Sequence, residues 1–357
     1  MAGRPVTGEL VRPRLVYFER WVDPVAEEIL GHRDDVELLR LEYADPLSAN
    51  WAAMAGAHGY HVQPRTELRG PWFGDSDLLA RSPRLLALAS TGAGYDYIDV
   101  DACTSAGVIV CHQGGTNREA VAEHALGLML ALSKRIAITD RALRRGEPID
   151  RFELRANDIA GKTLGIVGLG AIGSRVAELC AGLFGMRVLA FDPYVDAATA
   201  RDRHAEKVNL DNLLQQADVV SVHCPRTSET MGMLGAEQFA LMRPTAYFVS
   251  TARGGVHDEE ALAGALRDGR IAGAGVDVFL TEPPPADHPL LQLDSVIATP
   301  HIAGVTVEAL REMASEAARQ WMAVFAGRVP PRLVNPEAWP RYSRRFEEQL
   351  GFAPDPL

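Results

Sequence analysis

The chain has little cysteine, no excess of positive charge and no long apolar run, and each shortage closes off a class of function. Four cysteines, Cys103, Cys111, Cys180 and Cys224, stand among 357 residues without forming a CxxC pair. That is too sparse for a disulfide scaffold, so reduced thiols, no metal and a cytoplasmic location are expected. Lys and Arg together number 36 against 47 Asp and Glu, a net charge of −11, and no long basic run interrupts that balance. Nucleic acid and anionic membrane are therefore poor partners. The cluster Arg141, Arg144 and Arg145 reads as a solvated helix end. The first fifteen residues lack the apolar stretch of a signal peptide, and nowhere does the chain offer the roughly 18 apolar residues that a membrane span needs.

What is present is a chain long enough for two domains, with short Val-, Ile- and Leu-rich runs at 15–18, 85–89, 108–111, 163–168, 188–192, 219–224 and 246–251. Alternating with helical patterns, such runs predict an α/β protein of parallel sheets covered by helices on both faces. A single long helix is expected over 117–145, with Val121, Ala125, Leu128, Met129, Leu132 and Ile136 on its apolar side. The glycine-containing segment 113–117 before it reads as a hinge. A second helix over about 305–325 would return the chain to where it began. The expected organisation is two Rossmann-like, doubly wound domains: a discontinuous substrate domain of 1–115 plus 304–357, and a dinucleotide domain of 116–303. The tail beyond Val329 carries Trp339, Tyr342 and Phe346, which should dock on the body or on a second subunit.

The strongest local motif runs T-L-G-I-V-G-L-G-A-I-G from Thr163 to Gly173, a buried strand leading into GxGxxG and then a helical pattern. Gly168 allows a tight turn, Gly170 lets backbone approach a pyrophosphate, and Gly173 lets helix and strand pack closely. The N–H groups around Ala171 and Ile172 then face the anion at a helix N-terminus. Asp192 follows at the end of the next apolar run, where a carboxylate accepts hydrogen bonds from ribose hydroxyls and repels a 2′-phosphate. Pro193, Tyr194 and Val195 bring no arginine to offset that repulsion, so the expected cofactor is NAD rather than NADP.

Several further motifs occur in order: S-T-G-A-G-Y-D from Ser90, V-H-C-P from Val222, T-A-R-G-G-V-H-D from Thr251, G-V-D-V-F-L-T-E-P from Gly275 and T-P-H-I-A-G from Thr299. With the Gly168 fingerprint, they make the chain resemble the D-isomer-specific 2-hydroxyacid dehydrogenases over about 85–325, the 3-phosphoglycerate dehydrogenase pattern in particular. The resemblance implies hydride transfer between nicotinamide and a small D-2-hydroxy or 2-oxo acid such as glyoxylate, hydroxypyruvate or 3-phosphoglycerate. It also implies roles: Arg253 bridges substrate carboxylate and carbonyl, His301 is the acid–base residue, and Glu282 orients that histidine. The N–H groups of Thr91, Gly92 and Ala93 would receive the substrate carboxylate. His223, Cys224, Pro225 and Thr251 would line the cofactor site, with Thr251 near the nicotinamide ribose and Asp277 on the nicotinamide carboxamide. The chemistry is consistent, because a planar guanidinium fork suits a carboxylate and an imidazole exchanges protons near neutrality.

Some features depart from the pattern. Arg65 falls roughly where phosphoglycerate-type members contact substrate, yet its surroundings match poorly and a solvated arginine is an equal reading. Trp72 and Phe73 lie in an insertion-like stretch and would either line a pocket or complete a core. Glu282 argues against a formate-type activity, for which glutamine would be expected. The alternative function is an NAD(H)-sensing corepressor or scaffold of the same fold. A homodimer is expected, because the 117–145 stretch has more apolar surface than one domain needs and the family pairs through it.

Overall fold

The computed structural model of the chain describes residues 11–146, 148 and 150–357. The first ten residues, over which most of the signal-peptide reading runs, lie outside these. Among the described residues no helix is long and apolar enough to cross a membrane, and no group of three His, Cys, Asp or Glu side chains is placed to hold a metal ion. The four cysteines are free and buried.

The chain divides into two compact units, one of Met1–Asn117 with Val307–Leu357, the other of Arg118–Thr306. In the first, β1 (Arg14–Phe18), β2 (Glu37–Leu41), β3 (Gly59–Val62), β4 (Ala87–Ser90) and β5 (Ile109–Cys111) form one sheet in the order β2-β1-β3-β4-β5. Every pairing is parallel. Strands β4 and β5 are buried along their whole length, which is why they read as continuous apolar runs rather than alternating ones. The helix Val307–Phe325 supplies Ala314, Ala318, Trp321 and Phe325 to the core that holds Leu15, Ala87 and Ile109.

The tail docks on the body of its own chain. Trp339, Tyr342 and Phe346 of the helix Trp339–Leu350 are buried in that core, and burial of Phe346 alone contributes roughly 2–3 kcal/mol. Arg345 donates to the carbonyls of Pro83, Ala106 and Gly107. Two of these belong to the end of the helix Val100–Ala106, whose last carbonyls lack helical partners.

The second unit carries β6 (Thr163–Val167), β7 (Arg187–Phe191), β8 (Glu206–Lys207), β9 (Val219–Val222), β10 (Tyr247–Ser250), β11 (Gly273–Val276) and β12 (Val296–Ala298). Their order is β12-β11-β10-β9-β6-β7-β8, again with all pairs parallel. The chain reverses its direction of winding between β6 and β9, and ligands of open α/β sheets bind outside the strand carboxyl ends at such a switch point.

The long helix expected over 117–145 is two helices, Arg118–Ser133 and Ile136–Arg145. Arg135 takes a left-handed conformation at the break (φ 54°). The apolar stripe explains the break: Leu128, Met129 and Leu132 are buried, whereas Ile136 and Leu143 face outward. The segment read as a hinge is bound into the first unit, where the Gln113 N–H donates to Gly92 O and Arg332 donates to Gly114 O.

Candidate active site

The residues of the cofactor motifs sit at the carboxyl ends of neighbouring strands of the second unit. Gly168 follows β6 with φ +91°, and a Cβ there would lie 2.6 Å from the Cys224 backbone nitrogen after β9. Any other residue would be strained by backbone angle and by contact alike. A Cβ on Gly173 would meet Gly168 O at 2.2 Å, so the helix Ala171–Phe184 can approach β6 only with glycine there. At Gly170 the same addition meets nothing within 4 Å. The space before this helix is open, and Gly170 offers no side-chain cap to its first-turn N–H groups, those of Ala171, Ile172 and Gly173.

Asp192 is held by the loop that it faces: Oδ2 accepts the Leu169 N–H at 2.8 Å and Oδ1 the Tyr194 N–H at 2.9 Å. Its carboxylate retains further lone pairs for hydroxyl donors. An uncapped helix N-terminus, an uncrowded glycine and a fixed carboxylate fit a dinucleotide. Arg203, which the sequence reading passed over, donates to Leu169 O at 2.6 Å and so pins the same glycine loop. No spacing signal marked it, because it lies eleven residues past Asp192 beyond a short helix.

His223 and Pro225 flank Cys224 after β9, and burial pushes the His223 imidazole down to about 4. Its ring bonds Ser221 Oγ at 2.8 Å through Nε2, with Thr251 Oγ1 at 3.4 Å from Nδ1. Thr251 itself is buried at the end of β10. Asp277 follows β11 and is only 1% exposed. Its Oδ1 accepts from Thr299 Oγ1 at 2.6 Å and Ile302 N at 2.9 Å, and its Oδ2 from Ala303 N at 2.9 Å. These bonds brace the loop around His301, and Oδ2, which accepts only one of them, keeps a further lone pair.

That loop places His301 in a left-handed conformation (φ 56°), with its N–H donating to Asp277 O at 2.7 Å. His301 Nδ1 lies 2.9 Å from Glu282 Oε2, and the two side chains are 27% and 13% exposed. Glu282 Oε1 accepts the Phe279 N–H at 3.1 Å. Burial works to raise the Glu282 carboxyl, but the hydrogen bond and charge of His301, the Phe279 N–H and the Arg253 guanidinium outweigh it and hold the group below its ordinary range. Arg253 is half-buried, with Nη1 donating to Ala252 O at 2.8 Å. Residues 253, 282 and 301, far apart in the chain, thus form one electrostatic group.

In the first unit the loop after β4 corrects one expectation. Thr91 gives both its N–H (3.2 Å) and its hydroxyl (2.7 Å) to Val62 O, so its N–H is committed to extending the sheet and not to an anion. The Gly92 N–H lies 3.3 Å from Ser90 Oγ, a weak contact that an anion can displace. Arg65 is paired with Asp96 at 2.6 Å. Trp72 completes the core beside Phe18 and Trp51, while Phe73 is partly exposed.

The comparisons with known proteins identify the family. Residues 126–303 match the model described as D-isomer specific 2-hydroxyacid dehydrogenase, NAD binding domain. A glyoxylate reductase of Thermofilum pendens is 41% identical over 268 residues, covering 74% of this chain and 78% of that protein. A D-3-phosphoglycerate dehydrogenase of Mycobacterium leprae is 43% identical over 261 residues, covering 73% of this chain but only 49% of the relative, so the chain spans about half of that longer protein. Among solved structures, a D-lactate dehydrogenase of Aquifex aeolicus, complexed with NAD and lactic acid, superposes with a TM-score of 0.77 at 29% identity, over 90% of this chain and 98% of that one. With two parallel-sheet units and an NAD-binding domain of this kind, the chain belongs to the D-isomer-specific 2-hydroxyacid dehydrogenases.

Proposed function

We propose that the chain reduces a small 2-oxo acid, reversibly, to the D-2-hydroxy acid, with His301 as the proton donor. The observation that carries this is the 2.9 Å contact between His301 Nδ1 and Glu282 Oε2. It occupies one ring nitrogen and leaves Nε2 as the atom that exchanges a proton with substrate oxygen. NAD, when bound, supplies or takes the hydride. Gly168, Gly170, Gly173 and Asp192 would hold its pyrophosphate and ribose, with residues 223–225 and Thr251 beside them. Arg253 anchors the substrate carboxylate and polarises its carbonyl. Within the first unit, the N–H groups of Gly92 and Ala93 form a candidate group for a substrate carboxylate.

The ion pair of Arg65 with Asp96 bears on substrate choice. A guanidinium already matched by a carboxylate attracts a phosphate weakly, which favours glyoxylate or hydroxypyruvate over a phosphorylated acid. The proposal extends to a homodimer, because Ile136, Leu143 and the 80% exposed Phe152 are large apolar groups facing outward. Four buried thiols suit a reducing, cytoplasmic setting.

The experiment is turnover of glyoxylate, hydroxypyruvate and phosphohydroxypyruvate with NADH and with NADPH, alongside sedimentation at micromolar concentration. Reduction of an unphosphorylated acid with NADH is the expected result. No turnover of any 2-oxo acid would overturn the reading and favour an NAD(H)-sensing scaffold instead.

A further inference from the structure

His61 lies on β3, buried in the first unit and unused by the mechanism above. Its neighbours leave it one arrangement. The indole N–H of Trp321 stands 3.4 Å from His61 Nδ1, and an indole nitrogen can only donate. Nδ1 must therefore carry the lone pair, which puts the proton of the neutral ring on Nε2. That nitrogen lies 3.1 Å from Thr91 Oγ1. The Thr91 hydroxyl spends its own proton on Val62 O, so its oxygen is free to accept. The bonds run in one direction only, from Trp321 through His61 and Thr91 to Val62 O. Trp21 stacks on the imidazole at 4.0 Å and closes its face, and burial pushes the ring down to about 3, which keeps it uncharged.

We infer that His61 is a positioning residue for substrate: through this relay it latches Thr91 to β3 and so presets the N–H groups of Gly92 and Ala93. A threonine at a strand end readily turns its hydroxyl onto nearby backbone, competing for the groups that a ligand needs. Here both sides of the hydroxyl are taken, one by Val62 O and one by His61, and that competition is removed. The inference rests on the reading that the Gly92–Ala93 loop receives the substrate carboxylate, and it adds a dependence of that loop on a histidine and a tryptophan far from it in sequence.

The test uses the full-length protein and whichever 2-oxo acid it turns over best. His61→Leu should raise KM for that acid about tenfold, the effect of one lost hydrogen bond on loop placement, with kcat and the KM for NADH changed less than about threefold. His61→Gln, which keeps an N–H donor at similar reach, should bring KM back to within about threefold of the parent. In the parent, imidazole nitrogen NMR should find the Nε2–H tautomer, and Trp321→Phe should release it into a mixture. Ala93→Pro, which deletes a loop N–H and leaves the relay intact, separates the two readings. If Ala93→Pro raises KM and a folded His61→Leu does not, the relay is overturned while the loop reading stands; if Ala93→Pro leaves KM unchanged, the loop reading fails. An Nδ1–H tautomer in the parent overturns the relay whatever the kinetics, and the NMR decides the matter if His61→Leu does not fold.

Discussion

Each unit holds a histidine beside a loop that carries function, and the two stand in opposite electrical surroundings. His301 is partly exposed and its ring meets a carboxylate, with a guanidinium in the same field. His61 is enclosed, stacked on one indole and bonded to another, and its remaining partner is a hydroxyl. A histidine next to a carboxylate is equipped to change charge. One walled in by neutral donors and acceptors is equipped to hold a geometry. The residue type is the same, and the partners decide between proton transfer and positioning.

The widest separation should come from deletion of the charged member. His301→Ala is expected to lower kcat/KM for 2-oxo acid reduction about 10³-fold, within the range of general acid catalysis. His61→Leu should leave kcat almost unchanged, so comparable losses in kcat for both variants would erase the distinction.

Next in size is Arg253→Lys. A point charge cannot reproduce a planar two-pronged contact, and a loss of about 10²-fold in kcat/KM is expected. Steady-state kinetics at saturating NADH measure it, and parental rates would return Arg253 to a structural role in the field around Glu282.

A smaller effect sharpens the comparison further. Reduction needs a protonated imidazole at His301 and oxidation a neutral one. Glu282→Gln removes the carboxylate charge 2.9 Å from the ring, and with it the partner that orients the imidazole. A loss of about tenfold in kcat/KM in both directions is expected. Steady-state kinetics in each direction read this out, and parental rates would refute it. No such loss is expected in His61→Gln.

The subtlest effect is on Glu282 itself. Its carboxyl is held below the ordinary range although burial alone would raise it, with His301 supplying the leading counterweight. In His301→Ala the carboxyl should titrate higher, followed by carbon NMR of a labelled glutamate side chain. The sign for stability follows: a depressed carboxyl stabilises the fold above its unfolded value, and this contribution is lost as pH falls through the folded one. The parent should thus keep its acid stability to lower pH than the variant.

Much of this was legible in the chain. Seven apolar runs mark strands because strands buried on both faces need no alternation, and they correspond to β1, β4, β5, β6, β7, β9 and β10. The strands that escaped notice are the ones whose composition hides them. β2 reads E-L-L-R-L, with two charged residues among five, β3 reads G-Y-H-V, β11 reads G-A-G-V, and β8 and β12 are very short. Glycine and histidine have little strand preference of their own, and these segments are extended because neighbours pair with them. The helix over 117–145 was overextended for a related reason: periodicity shows that residues are helical but not that the stripe changes partner at Arg135.

The sequence by itself determined the fold class and the dinucleotide motif, since both rest on local spacing of glycine and apolar residues that backbone geometry must obey, while the proposed catalytic set came from resemblance to a family. Only the tertiary structure decided which groups are already spoken for. Thr91 has no N–H to offer because Val62 O takes it, Asp277 is bound into the His301 loop, Arg65 is matched by Asp96, and Trp321 dictates where the His61 proton sits across 260 residues of chain. Hydrogen bonds and ion pairs saturate locally in space, not along the chain, so whether a polar group remains available for a ligand is settled only when its neighbours are in place.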